Sequence, residues 1–229
     1  MSLESSDDTG KREGNLKLII GPMYSRKTST LADELCLLAD TNHKVLYINH
    51  VLDVDRETAN GNKYFSTHNS QLKTLSSAID TCKTAQLSEL NVKDLQQYDT
   101  IGIDEGQFFP DLTIIRKWVY DYNMDIIVAG LKSDSDLKPF GQIHELLCIS
   151  NDIINCTALC MNCLNHNYRG RPKRRAANYS FCFSAKKNQV EVGSNDKYIA
   201  VCMPCHKLLT DWKKSDPAQL LKTMQAIQV

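Results

Sequence analysis

The chain has 229 residues, and 27 Lys+Arg offset 27 Asp+Glu to a formal net charge of zero. That length holds one sizeable domain, or one domain with a small appendage. With 42% hydrophobic and 24% charged residues, composition excludes disorder or a collagen-like repeat for the chain as a whole. No apolar run approaches the ~18–20 residues of a membrane span. The polar start MSLESSDDTGKREGN has no signal core, so a cytoplasmic protein without membrane contact is expected.

Residues 1–14 lack periodicity and read as a disordered tail. LKLIIG at 16–21 reads as a buried strand ending in Gly-Pro, followed from Lys27 by a helix with Leu31, Leu35 and Leu38 on one face. KVLYINH at 44–50 is the next strand, and the polar stretch 51–71 a long loop. TIGID at 100–104 is a further strand. Asp111 is placed to cap a helix carrying Ile114, Ile115, Trp118 and Val119, and DIIVAG at 125–130 returns to strand. Apolar strands alternating with helices predict an α/β fold: a parallel sheet covered on both faces. We expect an α/β domain over 15–150, a small cysteine-bearing lobe over 151–206 and a helical tail over 207–229. In that tail Leu220, Leu221, Met224 and Ile227 share a helical spacing.

Gly21-Pro22-Met23-Tyr24-Ser25-Arg26-Lys27-Thr28 sits between strand and helix and matches the phosphate-loop pattern G-x-x-x-x-G-K-[ST] except at Arg26. Such a loop aims backbone N–H groups at phosphates, with a helix N-terminus behind them. Lys27 would reach the β/γ-phosphates of ATP and Thr28 a magnesium ion. A side chain at position 26 either tilts outward, adding positive charge, or blocks the nucleotide. Asp104 and Glu105 follow a buried strand, and ligands in open α/β sheets bind beyond the carboxyl ends of strands. Asp104 suits a second magnesium-holding acid and Glu105 a general base; the bland alternative is a pair of solvated acids.

Nine cysteines, an odd number, argue against a disulfide framework in a chain without a secretion signal. Cys160-Met-Asn-Cys163 and Cys202-Met-Pro-Cys205 supply four thiolates in tight pairs, the donor set of tetrahedral zinc. A redox dithiol is the competing use of such pairs, but the flanking strand–helix–strand pattern is missing.

GPMYSRKTST, IGIDEGQFFPD, KPFG, the two Cys-x-x-Cys pairs and DKYIAVC together resemble the type II, zinc-containing thymidine kinases, from about residue 15 to 206. The resemblance implies a phosphate-loop α/β domain with a zinc lobe and lasso loop. It also implies ATP-dependent phosphorylation of the 5′-hydroxyl of thymidine (or deoxyuridine) in nucleotide salvage, structural zinc, magnesium, and usually a homotetramer. On it, Glu105 is the base, Asp104 and Thr28 serve magnesium, and Gly21 to Thr28 and Gln107 contact the nucleotide. Phe108, Leu131 and Phe140 line the nucleoside pocket. Val190, Glu191, Val192 and Gly193 belong to the lasso, one residue short before Asp196-Lys197-Tyr198, and Tyr198 packs on the nucleoside.

Two further positions depart from that family: Ser135 falls where an apolar wall belongs, and Arg56 is one residue off an Asp-x-Arg pattern. Residues 164–187 carry seven basic residues (Arg169, Arg171, Lys173, Arg174, Arg175, Lys186, Lys187) and no acid. This stretch reads as a solvated insertion, or, through Arg-Gly-Arg-Pro, as a minor-groove DNA contact or localisation signal. A catalytically weak relative that binds nucleotide or DNA through 169–175 is therefore the alternative function.

Overall fold

The computed structural model describes residues 13–52, 78–165, 167–168, 171–184 and 197–227. Residues 1–12 of the expected tail, the expected loop beyond Leu52 with Arg56, Arg169, Lys186, Lys187, and the lasso residues Val190, Glu191, Val192 and Gly193 lie outside them.

In chain order the first elements are β1 (Asn15–Gly21), α1 (Lys27–Asp40), β2 (Val45–His50), β3 (Ile79–Thr84), α2 (Val92–Leu95), β4 (Thr100–Ile103), α3 (Ile115–Tyr120), β5 (Asp125–Leu131), α4 (Ile143–Leu146) and β6 (Asp152–Asn155). The six strands form one parallel sheet in the order β3-β2-β4-β5-β1-β6. Parallel strands put the carboxyl ends of β1, β2, β4 and β5 along one edge, where the candidate site lies.

Alternation along each strand divides the core in two. Leu16, Leu18, Leu46, Ile48, Ile101, Ile103, Ile126 and Val128 face Phe109, Trp118, Ile143 and Leu146. Ile19, Val45, Tyr47, Ile127 and Ala129 face Leu31, Ala32 and Leu35 of α1. Leu38 of α1 is only half-buried beside that second cluster. Both faces are thus covered, as the near-continuous apolar strands predict.

Two strands of this sheet were not read from the sequence. β3 (IDTCKT) is an edge strand with mostly exposed interior residues, and β6 (DIIN) pairs with β1 beyond the expected boundary at 150. Asp111 does not cap its own helix: its carboxylate accepts from the Leu87 and Ser88 amides at 3.1 and 2.7 Å, capping a short 3-10 turn at 87–89.

Beyond β6 come β7 (Ala158–Leu159), α5 (Met161–Asn165), β8 (Asn167–Tyr168), β9 (Arg171–Pro172), β10 (Ala176–Ala177), β11 (Tyr179–Cys182), β12 (Tyr198–Val201), α6 (Met203–Ser215) and α7 (Pro217–Ile227). Phe181, Phe183, Ile199, Val201, Leu209 and Leu220 form its core together with the four paired cysteines. Met224 and Ile227 pack against that core, whereas Leu221 is exposed.

Candidate active site

The strand-to-helix turn after β1 carries Arg26 at φ 65°, ψ 27°, the left-handed conformation for which the phosphate-loop pattern uses glycine. Arg26 is exposed. Tyr24 is also left-handed, at φ 63°. Gly21 admits no side chain: a Cβ there would lie 2.5 Å from the Cys156 carbonyl oxygen and 2.6 Å from Ser25 Oγ. Ser25 Oγ and Lys27 Nζ both donate to the Pro22 carbonyl, at 2.9 and 2.8 Å. Lys27 is buried, and desolvation lowers its pKa against the pull of Glu105 and Asp104. That pull brings the loop lysine and the two acids into one electrostatic neighbourhood.

Asp104 is buried beyond the end of β4. Tyr47 Oη donates to its Oδ2 at 3.1 Å and the Glu105 amide to its Oδ1 at 2.9 Å. Glu105 is half-buried and left-handed at φ 50°, ψ 40°. Gln107 Nε2 donates to Glu105 Oε2, and Gln107 Oε1 accepts from the Leu131 amide at 2.9 Å. Gln107 therefore ties Glu105 to the end of β5. Whatever its relation to nucleotide, it orients the carboxylate. A strained backbone together with a tethered carboxylate is a fixed acceptor for a proton.

An apolar wall stands beside the acids. Phe108 meets Phe140 edge-on with ring centroids 5.9 Å apart. Gly141, at φ 57°, allows this close approach, because a Cβ there would come 2.3 Å from the Gln107 carbonyl oxygen. Leu131 is half-buried at the end of β5. Tyr198 is buried on β12 in register with Cys182, and Ser135 is buried, its carbonyl 3.0 Å from His206 Nε2 of α6.

Sequence reading missed several of these contributors. Tyr47 stands in a strand buried along its whole length, so no alternation marks it. His50 packs on Phe108 and Phe109 at 5.8 and 4.8 Å, with its Nδ1 accepting from the Leu52 amide. A polar residue at a strand's carboxyl end is the signal that could have found it.

Cys160, Cys163, Cys202 and Cys205 are all buried, with their Sγ atoms within 4.8 Å of one another. Cys163 Sγ lies 3.8 Å from Cys202 Sγ and 3.5 Å from Cys205 Sγ. Zinc–sulfur bonds of ~2.3 Å at tetrahedral angles set the sulfurs ~3.8 Å apart, so the donor set fits. Asn162 Nδ2 donates to Cys205 Sγ at 3.2 Å and Arg175 to Cys202 Sγ at 3.8 Å. Burial opposes ionisation of Cys202, but the Cys205 amide and Arg175 outweigh it and lower its pKa. Arg175, counted above in the basic stretch, is thus directed at the Cys202 sulfur; it, Lys173 and Arg174 are all exposed.

The thymidine kinase profile matches residues 14–206. The chain is 29% identical to the cytosolic thymidine kinase of Bos taurus over 196 residues, covering 86% of this chain and 73% of that one. It is 30% identical to a Fowlpox virus thymidine kinase over 193 residues (84% and 96%). A thymidine kinase of Mycoplasma mobile is 29% identical over 195 residues (85% and 88%). The match opens just before β1 of the sheet and closes just past the last paired cysteine, taking in both the acidic strand end and the cysteine cluster: this chain belongs to the thymidine kinase family.

Proposed function

We propose that the protein transfers the γ-phosphoryl group of ATP to the 5′-hydroxyl of thymidine, with Glu105 as the general base. The convergence of Lys27, Asp104 and Glu105 beyond the carboxyl ends of β1 and β4, which flank β5, in a thymidine kinase family chain, carries this reading. Within the loop Gly21 to Thr28, the amides from Tyr24 onward and the Lys27 ammonium would hold the phosphates. Phe108, Phe140 and Leu131 offer the nucleoside an apolar wall, and by likeness to the family Tyr198 and Val190 to Gly193 would contact it.

Glu105 takes the 5′-hydroxyl proton as the oxygen–phosphorus bond forms. The bond from γ-phosphorus to the bridging oxygen breaks, and ADP leaves. Thr28 and Asp104 are hard oxygen donors of the kind magnesium takes. Magnesium, when bound, neutralises phosphate charge and orients the transferring group. Structural zinc on the four cysteines would hold the lobe together. Assembly into a homotetramer and a cytoplasmic location are carried by likeness to the family. No helix among the described residues is long and apolar enough to cross a membrane.

Incubating the purified protein with thymidine, magnesium and γ-labelled ATP tests the reading. Labelled thymidine monophosphate is the expected product, and its absence under conditions where a relative turns over would overturn it.

A further inference from the structure

The loop between β1 and α1 does not stand on its own strand and helix alone. The Met23 amide donates to Ser180 Oγ at 2.9 Å, across 157 residues of sequence. Ser180 is buried in the middle of β11, and in register with Ala200 of β12. Tyr24 also packs against the cysteine-lobe core, the cluster that includes Phe181 and Val201. Cys202 immediately follows β12, so the strand pair that holds the loop runs directly into the cysteine cluster.

Two features of the loop need outside support. Tyr24 and Arg26 are both left-handed non-glycine residues, a conformation costing ~1–2 kcal/mol each that persists only where surroundings enforce it. The Met23 amide also belongs to a turn where no helix or strand bond satisfies it, and Ser180 supplies the acceptor.

We propose that Ser180 is a positioning residue for the phosphate loop, so that the cysteine lobe sets the loop's affinity for MgATP. This rests on the reading that residues 21–28 hold the ATP phosphates. The serine touches no substrate; it fixes one end of the strained turn, and the turn in turn aims Lys27 and the loop amides. Loss of order in the cysteine lobe is then felt at the nucleotide.

The test compares full-length protein with Ser180→Ala and Ser180→Thr, the second keeping the hydroxyl. MgATP binding is measured by calorimetry, KM for thymidine and for MgATP by turnover, and metal content by elemental analysis. In Ser180→Ala, MgATP affinity and KM weaken about 5-fold, equivalent to the ~1 kcal/mol of one neutral hydrogen bond. KM for thymidine and metal content stay unchanged, and Ser180→Thr recovers most of the loss. Amide hydrogen exchange of the peptide containing Met23 quickens in Ser180→Ala while peptides around Cys160 and Cys205 stay protected. That measurement holds even if turnover is too weak to follow. Equal MgATP affinity in wild type and Ser180→Ala, or unchanged exchange at Met23, overturns the inference alone. A wild-type protein without MgATP affinity overturns the phosphate-loop reading beneath it.

Discussion

Arg26 holds a left-handed backbone that glycine adopts freely, and it is exposed. Arg26→Gly removes the ~1–2 kcal/mol Cβ strain but adds ~0.5–1 kcal/mol of chain entropy to the unfolded state. A net stabilisation of roughly 0.5–1 kcal/mol follows, read as a higher thermal midpoint, with turnover within about threefold of wild type. A large gain in turnover would show that the arginine obstructs the nucleotide. Lys27 gives a pH prediction. Burial lowers its pKa, so the ammonium that phosphates require is lost at a lower pH than for an ordinary lysine. For folding the sign is that between the depressed and the ordinary value the unfolded chain binds the extra proton, and stability from this group rises with pH. MgATP affinity runs the opposite way, weakening as pH rises through the depressed value. Calorimetry at a series of alkaline pH values checks this. The residues that carry these arguments differ in how visible they were. Lys27 and Glu105 stand in motifs, whereas Gln107's tether to Glu105 and Tyr47's bond to Asp104 depend on strands brought together only by the fold.

At the scale of elements, the four strands read from the sequence are those buried on both faces, where apolar runs are near-continuous. β3 and β6 escaped because these short edge strands, IDTCKT and DIIN, are mostly exposed and carry no apolar run long enough to stand out. The helix after Asp111 was legible from its apolar spacing, but its cap was not. The carboxylate reaches amides more than twenty positions back in sequence, and local pattern carries no trace of such a partner. Asp111→Ala should destabilise the protein by about 1 kcal/mol, as loss of a turn cap does. Burial alone would raise this carboxyl, but hydrogen bonds from Ser88 and Leu87 prevail and hold it below the ordinary range. A depressed acid contributes stability above its unfolded pKa and loses it as pH falls through the folded value. The gap between wild type and Asp111→Ala should therefore be full at neutral pH and close in acid, as denaturant titrations at several pH values would show.

For the whole molecule, the cysteine lobe joins the sheet domain through Ser180 to Met23 and His206 to Ser135. If zinc fills the four-sulfur cluster, elemental analysis should return one zinc per chain. Chelation should then lower the thermal midpoint by about 10 °C or more, since metal affinity in such a site is folding free energy. Cys202→Ala should do the same without chelator; full stability with no bound metal would remove the structural role. The net charge of zero conceals an uneven distribution, with seven basic residues and no acid in 164–187. Part of that stretch lies outside the described residues, and one member, Arg175, donates to the Cys202 sulfur. Glu105, the tethered carboxylate beside the loop lysine, is the proposed base. Turnover of thymidine with MgATP should be compared in wild type and Glu105→Gln, with MgATP affinity measured on both. The predicted result is a fall in kcat of about 10²–10⁴-fold at unchanged MgATP affinity; equal turnover in the two proteins would contradict it.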